Sequence, residues 1–162
     1  MRRAIAAACA LAAIATLSAG PSAAAWADSA GARLDGATVS SIGSDLRILA
    51  VDAQADDSGI ASGVTSFVHV APAGVSRFVG TVACFRQDSG GQVQLSGQVL
   101  DGVTAAGVVL TGKDFFFTLE ADGEPQAFSL PSFAEAGTRS GCSGGSAQRV
   151  AVTAGSFVLT DA

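Results

Sequence analysis

Apolar and polar residues alternate along much of this chain in short runs, and glycine-containing turns separate the runs. From Gln92 to Val99, Val93, Leu95 and Val99 are apolar, while Gln92, Gln94, Ser96 and Gln98 are polar. Successive side chains of an extended chain point to opposite faces, so this pattern predicts a strand with one face in a core and one in water. Asp114 to Asp122 repeats it: Phe115, Phe117, Leu119 and Ala121 share one face, and Asp114, Thr118, Glu120 and Asp122 share the other. Phe116 breaks the rule by falling on the polar face. If exposed, it would mark an interaction surface or a covered face; filling the core is the ordinary role of such a phenylalanine run. Segments 77–86 and 149–159 are apolar on both faces, which suits strands covered on both sides or bending between sheets.

Turn signals fall between the runs at Asp35-Gly36, Asp57-Ser58-Gly59, Pro72-Ala73-Gly74, Ser89-Gly90-Gly91, Asp101-Gly102, Thr111-Gly112, Asp122-Gly123-Glu124-Pro125 and Gly144-Gly145. Strands are predicted over 33–41, 45–53, 61–71, 76–87, 92–101, 106–111, 114–122 and 147–160, with a further short one near 126–130. Segment 131–145 is polar and glycine-rich and reads as a loop pinned by Cys142. No helical period intervenes. The fold class is therefore all-β, an antiparallel β-sandwich or small β-barrel of about eight strands, preceded by a signal peptide.

The signal peptide is read over residues 1–27, and a single all-β domain over 28–162. Met1-Arg2-Arg3 is a basic start, an apolar run extends from Ala4 to Leu17, and Gly20-Pro21 and small residues follow. Ala25-Trp26-Ala27 places small residues at −3 and −1, with cleavage after Ala25 as the alternative. The apolar run is too short to span a bilayer comfortably. Arg2-Arg3 lacks the further residues of a twin-arginine signal, and Cys9 lies too early for lipidation.

Charge and cysteine usage then bound the function. The 162 residues carry a formal net charge of −5. With Arg2 and Arg3 removed, seven basic side chains face fourteen acidic ones, a net charge of about −7. An acidic domain with one lysine, Lys113, has no electrostatic footprint for nucleic acid, and anionic membranes are disfavoured. No membrane insertion is expected after signal cleavage. Cys84 and Cys142 are the two cysteines beyond the signal, and export to an oxidising compartment predicts a disulfide between them. The expected location is secreted or extracytoplasmic, in the cell envelope.

Gly80-Thr81-Val82-Ala83-Cys84, Val93-Gln94-Leu95-Ser96-Gly97-Gln98-Val99, the strand Asp114 to Glu120 with Asp122-Gly123-Glu124-Pro125, and the closing Thr153 to Leu159 occur in that order. In this succession the chain resembles the exported bacterial β-rich proteins of the post-COAP domain family, over about Ser62 to Thr160. The resemblance implies a β fold and export. It assigns no active site.

Few residues point to chemistry. His69, the single histidine, alternates with Phe67 and Ala71 on a predicted strand. One histidine without a third cysteine does not make a common zinc set, and no Gly-x-Ser-x-Gly elbow accompanies it. A surface or barrel-lining position is expected. Glu120, Asp122 and Glu124 could pair for glycoside hydrolysis, but a solvated strand face explains them equally well. Asp52, Asp56 and Asp57 offer oxygen ligands for calcium without the spacing of an EF-hand loop, so an acidic turn is expected and no metal. Phe78, Phe115 and Phe117, with His69, would line an apolar ligand cavity if the interior were hollow.

The leading expectation is an exported, non-catalytic β domain serving as an extracellular or envelope binding or interaction module. No cofactor is expected, and the partner would be an extracellular protein or a small apolar ligand. A small barrel binding an apolar ligand is the first alternative. A hydrolase or isomerase using acidic residues or His69 is the second.

Overall fold

The computed structural model describes residues 27–28, 31–56, 60–87, 91–137, 142 and 148–160. The predicted signal lies outside these residues except for Ala27. The strands are β1 (Ala27–Asp28), β2 (Arg33–Ile42), β3 (Asp45–Ala55), β4 (Ala61–Ala71), β5 (Gly74–Gln87), β6 (Gln92–Val103), β7 (Asp114–Glu120), β8 (Ala127–Ser129), β9 (Ser132–Ala134), β10 (Arg149–Ala151) and β11 (Ala154–Thr160). All belong to one antiparallel sheet curled into a half-barrel, the barrel-like member of the two expected architectures. The long strands form a meander from β2 to β8, each pairing with the next. Short turns explain this order, because antiparallel neighbours need only a tight connection.

The two sheet edges are joined by one piece of chain. The strand order runs β10-β8-β7-β6-β5-β4-β3-β2-β11, so the consecutive strands β10 and β11 lie on opposite edges. Segment 149–160 thus bends from one edge to the other, which accounts for its apolar residues on both faces. Two side chains stitch this seam. The Gln126 amide accepts from the Phe157 N–H at 2.8 Å and donates to the Phe157 carbonyl at 2.9 Å, so it replaces a neighbouring strand's peptide group. Thr153 Oγ1 donates to the Val39 carbonyl at 3.1 Å and accepts from the Ser41 N–H at 3.2 Å.

The concave face is a phenylalanine core. Phe115 and Phe117 stack with centroids 5.6 Å apart, Phe78 lies 5.3 Å from Phe115, and Phe133 meets Phe78 edge-on at 5.4 Å. Phe67, Phe128 and Phe157 continue the chain of rings. Each such pair contributes about 0.5–1.5 kcal/mol beyond its buried area. Leu34, Leu49, Val93, Leu95, Val99 and Leu119 complete the core.

Two bulges set which residues reach it. On β5 the pairing shifts between Val82 and Cys84, leaving Ala83 as the extra residue. Phe78, Gly80 and Val82 therefore face inward, Cys84 turns outward, and Phe85 faces inward again. On β6 the shift between Val79 and Gly80 leaves Leu100 extra, so Leu100 and Asp101 are both exposed before Gly102 turns in beneath Phe78.

Cys84 is joined to Cys142, with Cα atoms 5.4 Å apart. Cys84, Ser96 and Phe116 occupy one row across the convex face of β5, β6 and β7. Cys142 is buried there, its Sγ 3.7 Å from the Gln94 carbonyl, and Phe116 is fully buried. Phe116 is therefore not an exposed residue and marks no interaction surface.

Three expectations are corrected. Segment 147–160 is not one strand: it holds β10 and β11, which lie on opposite edges of the sheet. Segment 106–111 is not a strand: Thr104 and its neighbours turn the chain back, and only an isolated bridge between Val103 and Val109 forms. Segment 131–145 is not wholly a loop, because Ser132–Ala134 pairs with β7 as β9.

Candidate functional site

The interior changes character at the end of the sheet that carries the 42–45 and 71–74 turns. One rung inward from that end, Thr38, Leu49, Phe67 and Phe78 lie opposite one another on β2 to β5. The next rung outward is polar: Ser40, Arg47, His69 and Ser76. The β3 alternation explains how an arginine comes to be inside. Arg47 shares its face with Leu49, Val51, Ala53 and Ala55, all buried, so it must enter the concave side with them.

Arg47 is 7% exposed. Its Nη2 donates to Asp45 Oδ2 at 2.8 Å, and the same oxygen lies 3.3 Å from His69 Nε2. Arg47 Nε and Nη1 and the Ser40 hydroxyl are buried without hydrogen-bond partners. A buried unmatched donor costs about 1–3 kcal/mol, and more when charged, so this rung is an energetically expensive place to leave bare. Beside it opens a cavity of about 170 Å³ whose wall mixes the apolar Phe67, Phe78 and Phe133 with His69, Ser76, Arg77 and Thr104; Arg47 does not line it. His69 is shared by cavity and polar rung. The turn after β6 closes over Ser76, whose Oγ accepts from the Ala105 N–H at 2.9 Å.

The other sequence candidates are dispersed. Phe78, Phe115 and Phe117 are in the core, packed on one another. Asp52 is exposed and pairs with Arg33 at 3.0 Å, and Asp56 accepts from the Ile60 N–H at 2.9 Å. Asp57 lies outside the described residues. Among the described residues no group of three or more histidine, cysteine or acidic side chains gathers to hold a metal. Glu120 pairs with Arg149, whereas Asp122 and Glu124 line an open cleft of about 590 Å³ beside the seam. Among the described residues no helix is long and apolar enough to cross a membrane.

The convex face of β3, β4 and β5 is the second notable surface. Leu46 lies opposite Val70, which lies opposite Val75; Ile48 lies opposite Val68; Val79 and Val64 follow on neighbouring rungs. Leu46, Ile48, Val64, Val70, Val75 and Val79 are all exposed, Val64 by 53%. Both surfaces escaped sequence reasoning. Their signal was the double apolar parity of β3, where Leu46 and Ile48 alternate with Leu49 and Val51 across two faces.

Fold and site together define an all-β protein with a filled phenylalanine core, a polar rung at one end and an apolar convex face. No family model, curated protein or solved structure matches the chain.

Proposed function

We propose that the chain, once exported, is a non-catalytic interaction module whose working surface is the convex face of β3–β5, and that the face pairs with a second copy of itself. The observation that carries this reading is the uncovered run of Leu46, Ile48, Val64, Val70, Val75 and Val79. Apolar patches of more than a few hundred Å² on soluble proteins mark interaction sites, and each Å² buried contributes about 25 cal/mol.

Charge favours self-pairing over a charged partner. Arg33 pairs with Asp35 and Asp52, and Arg77 lies 3.6 Å from Asp101, so the charges around the face are largely neutralised within the chain. An acidic protein can therefore bring two such faces together in a two-fold pair with little like-charge repulsion. The three-part export layout, the Cys84–Cys142 bridge and the resemblance to exported β-rich proteins support action outside the cytoplasm.

Sedimentation velocity over a concentration series of the disulfide-bonded mature chain tests the reading. The wild type should approach twice the monomer mass at high micromolar concentration. Ile48→Lys should weaken association by about tenfold or more, since it buries a charge in an apolar contact. A wild type that stays monomeric removes the second copy as partner, and undiminished pairing in Ile48→Lys removes the face.

A further inference from the structure

The open cleft beside the seam shares no lining residue with the convex face of β3–β5. We infer that it is a docking site for an extended basic peptide segment of a partner protein, which adds as a strand to the outer edge of β11 and sets its basic side chains against Asp122 and Glu124.

β11 pairs with β2 on one side, and among the described residues no strand pairs with its other side. An open edge is a row of backbone N–H and C=O groups ready for another strand, and sheets ordinarily guard it with charged residues or proline. β11 reads Ala154-Gly155-Ser156-Phe157-Val158-Leu159-Thr160 and carries neither. At Phe157 the edge already holds a peptide-like group: the Gln126 amide donates to the Phe157 carbonyl and accepts from its N–H, as a neighbouring strand would. Outward-facing residues alternate along an edge, so Gly155 presents the next such N–H and C=O, and Gly155 lines the cleft. Ala154, Gly155 and Ser156 are exposed. With no side chain, Gly155 allows another backbone to approach closely.

Charge selects the partner. The cleft, of about 590 Å³, is also lined by Asp122 and Glu124, and none of its lining residues is basic. Among the described residues neither carboxylate makes an ion pair, whereas Asp45, Asp52, Asp101 and Glu135 do. Basic side chains on alternate residues of an added strand share one face, so a single docking register can present them to both carboxylates. A second copy of this chain fits worse. The chain carries a net charge of −5, and pairing two β11 edges would bring two acidic clefts together.

Fluorescence anisotropy of the disulfide-bonded mature chain with short, capped, labelled peptides tests this. The probes are a peptide of alternating valine and lysine, its counterpart of valine and glutamate, and the lysine peptide N-methylated throughout its backbone. The lysine peptide should bind at least about tenfold more tightly than the glutamate peptide, for the charge, and than the N-methylated one, for the lost backbone bonds. Asp122→Asn/Glu124→Gln should remove the preference for lysine over glutamate. On binding, the Gly155 amide resonance should shift and its hydrogen exchange should slow. If the double variant fails to fold, the N-methylated probe and the Gly155 amide decide on the wild type. Absence of binding, equal affinity for the lysine and glutamate peptides, undiminished binding after N-methylation, a preference that survives the double variant, or an unresponsive Gly155 amide would overturn the inference. Binding lost in Ile48→Lys would place the peptide on the convex face and overturn it as well.

Discussion

Gly80 and Phe115 show how little tolerance the core has at single positions. Gly80 faces inward on β5, and a Cβ there would lie 2.7 Å from Phe115 Cε1 and 2.8 Å from the Gln98 carbonyl oxygen. The ring is wedged between Phe78 and Phe117, and the carbonyl belongs to the sheet backbone, so neither neighbour can yield cheaply. Gly80→Ala is expected to destabilise the fold by about 1–3 kcal/mol, read as a lower midpoint in urea with an unchanged slope. An unchanged midpoint would mean that the core is looser than this packing. Gly36 is constrained differently: its φ of +146° and a would-be Cβ contact of 2.2 Å with the Ser156 carbonyl oxygen reserve it for glycine where β11 crosses β2. In the sequence Asp35-Gly36 reads as a turn, but the residue lies within β2, because glycine serves close backbone approach as well as turns.

At the scale of elements, the seam and the bridge are the parts held by few interactions. Gln126 alone pairs with both backbone groups of Phe157. Gln126→Leu keeps the bulk and removes both bonds, leaving a half-buried N–H and C=O unmatched. The cost should be about 1–3 kcal/mol, with faster hydrogen exchange at the Phe157 amide than at the β4–β5 amides; uniform exchange across the sheet would show that the seam opens only with the whole molecule. The Cys84–Cys142 bridge closes a loop with a sequence separation of 58. The chain-entropy model assigns about 4 kcal/mol to such a loop, so the Cys84→Ala/Cys142→Ala variant should melt well below the oxidised wild type and match the reduced protein. Equal melting of oxidised and reduced protein would contradict this. Strands β2 to β7 were legible because each is a run of strand-forming residues between turn signals, with clear alternation in β6 and, apart from Phe116, in β7. The β5 bulge was not: it changes the parity of Cys84 by one extra residue, and nothing in Val82-Ala83-Cys84 marks where that residue falls. Strand β9 was hidden for a related reason. Ser132–Ala134 has too short a pattern to read as a strand, and its pairing comes from the adjacent edge of β7.

For the whole molecule, the convex face and the net charge set how it meets others. Pairing through Leu46, Ile48, Val64, Val70, Val75 and Val79 buries apolar surface while the flanking ion pairs remain internal. Self-association should therefore change little, or strengthen slightly, from low to high salt, because apolar burial is not screened and the repulsion between acidic molecules is. Steep weakening with salt in sedimentation runs would point to an ionic contact instead.

The alternation of Val93, Leu95 and Val99 and of Phe115, Phe117 and Leu119, with turns between the runs, was enough to determine an antiparallel all-β chain, and the pair of cysteines its bridge. Local alternation fixes only that residues two apart share a face. For β3, where both faces are apolar, it leaves undecided which one becomes concave. The curl of the whole sheet made that choice, sending Leu49, Val51 and with them Arg47 inward, and leaving Leu46 and Ile48 outside. The joining of the two edges by segment 149–160 was likewise decided by tertiary structure, since it depends on strands more than a hundred residues apart in sequence meeting in space.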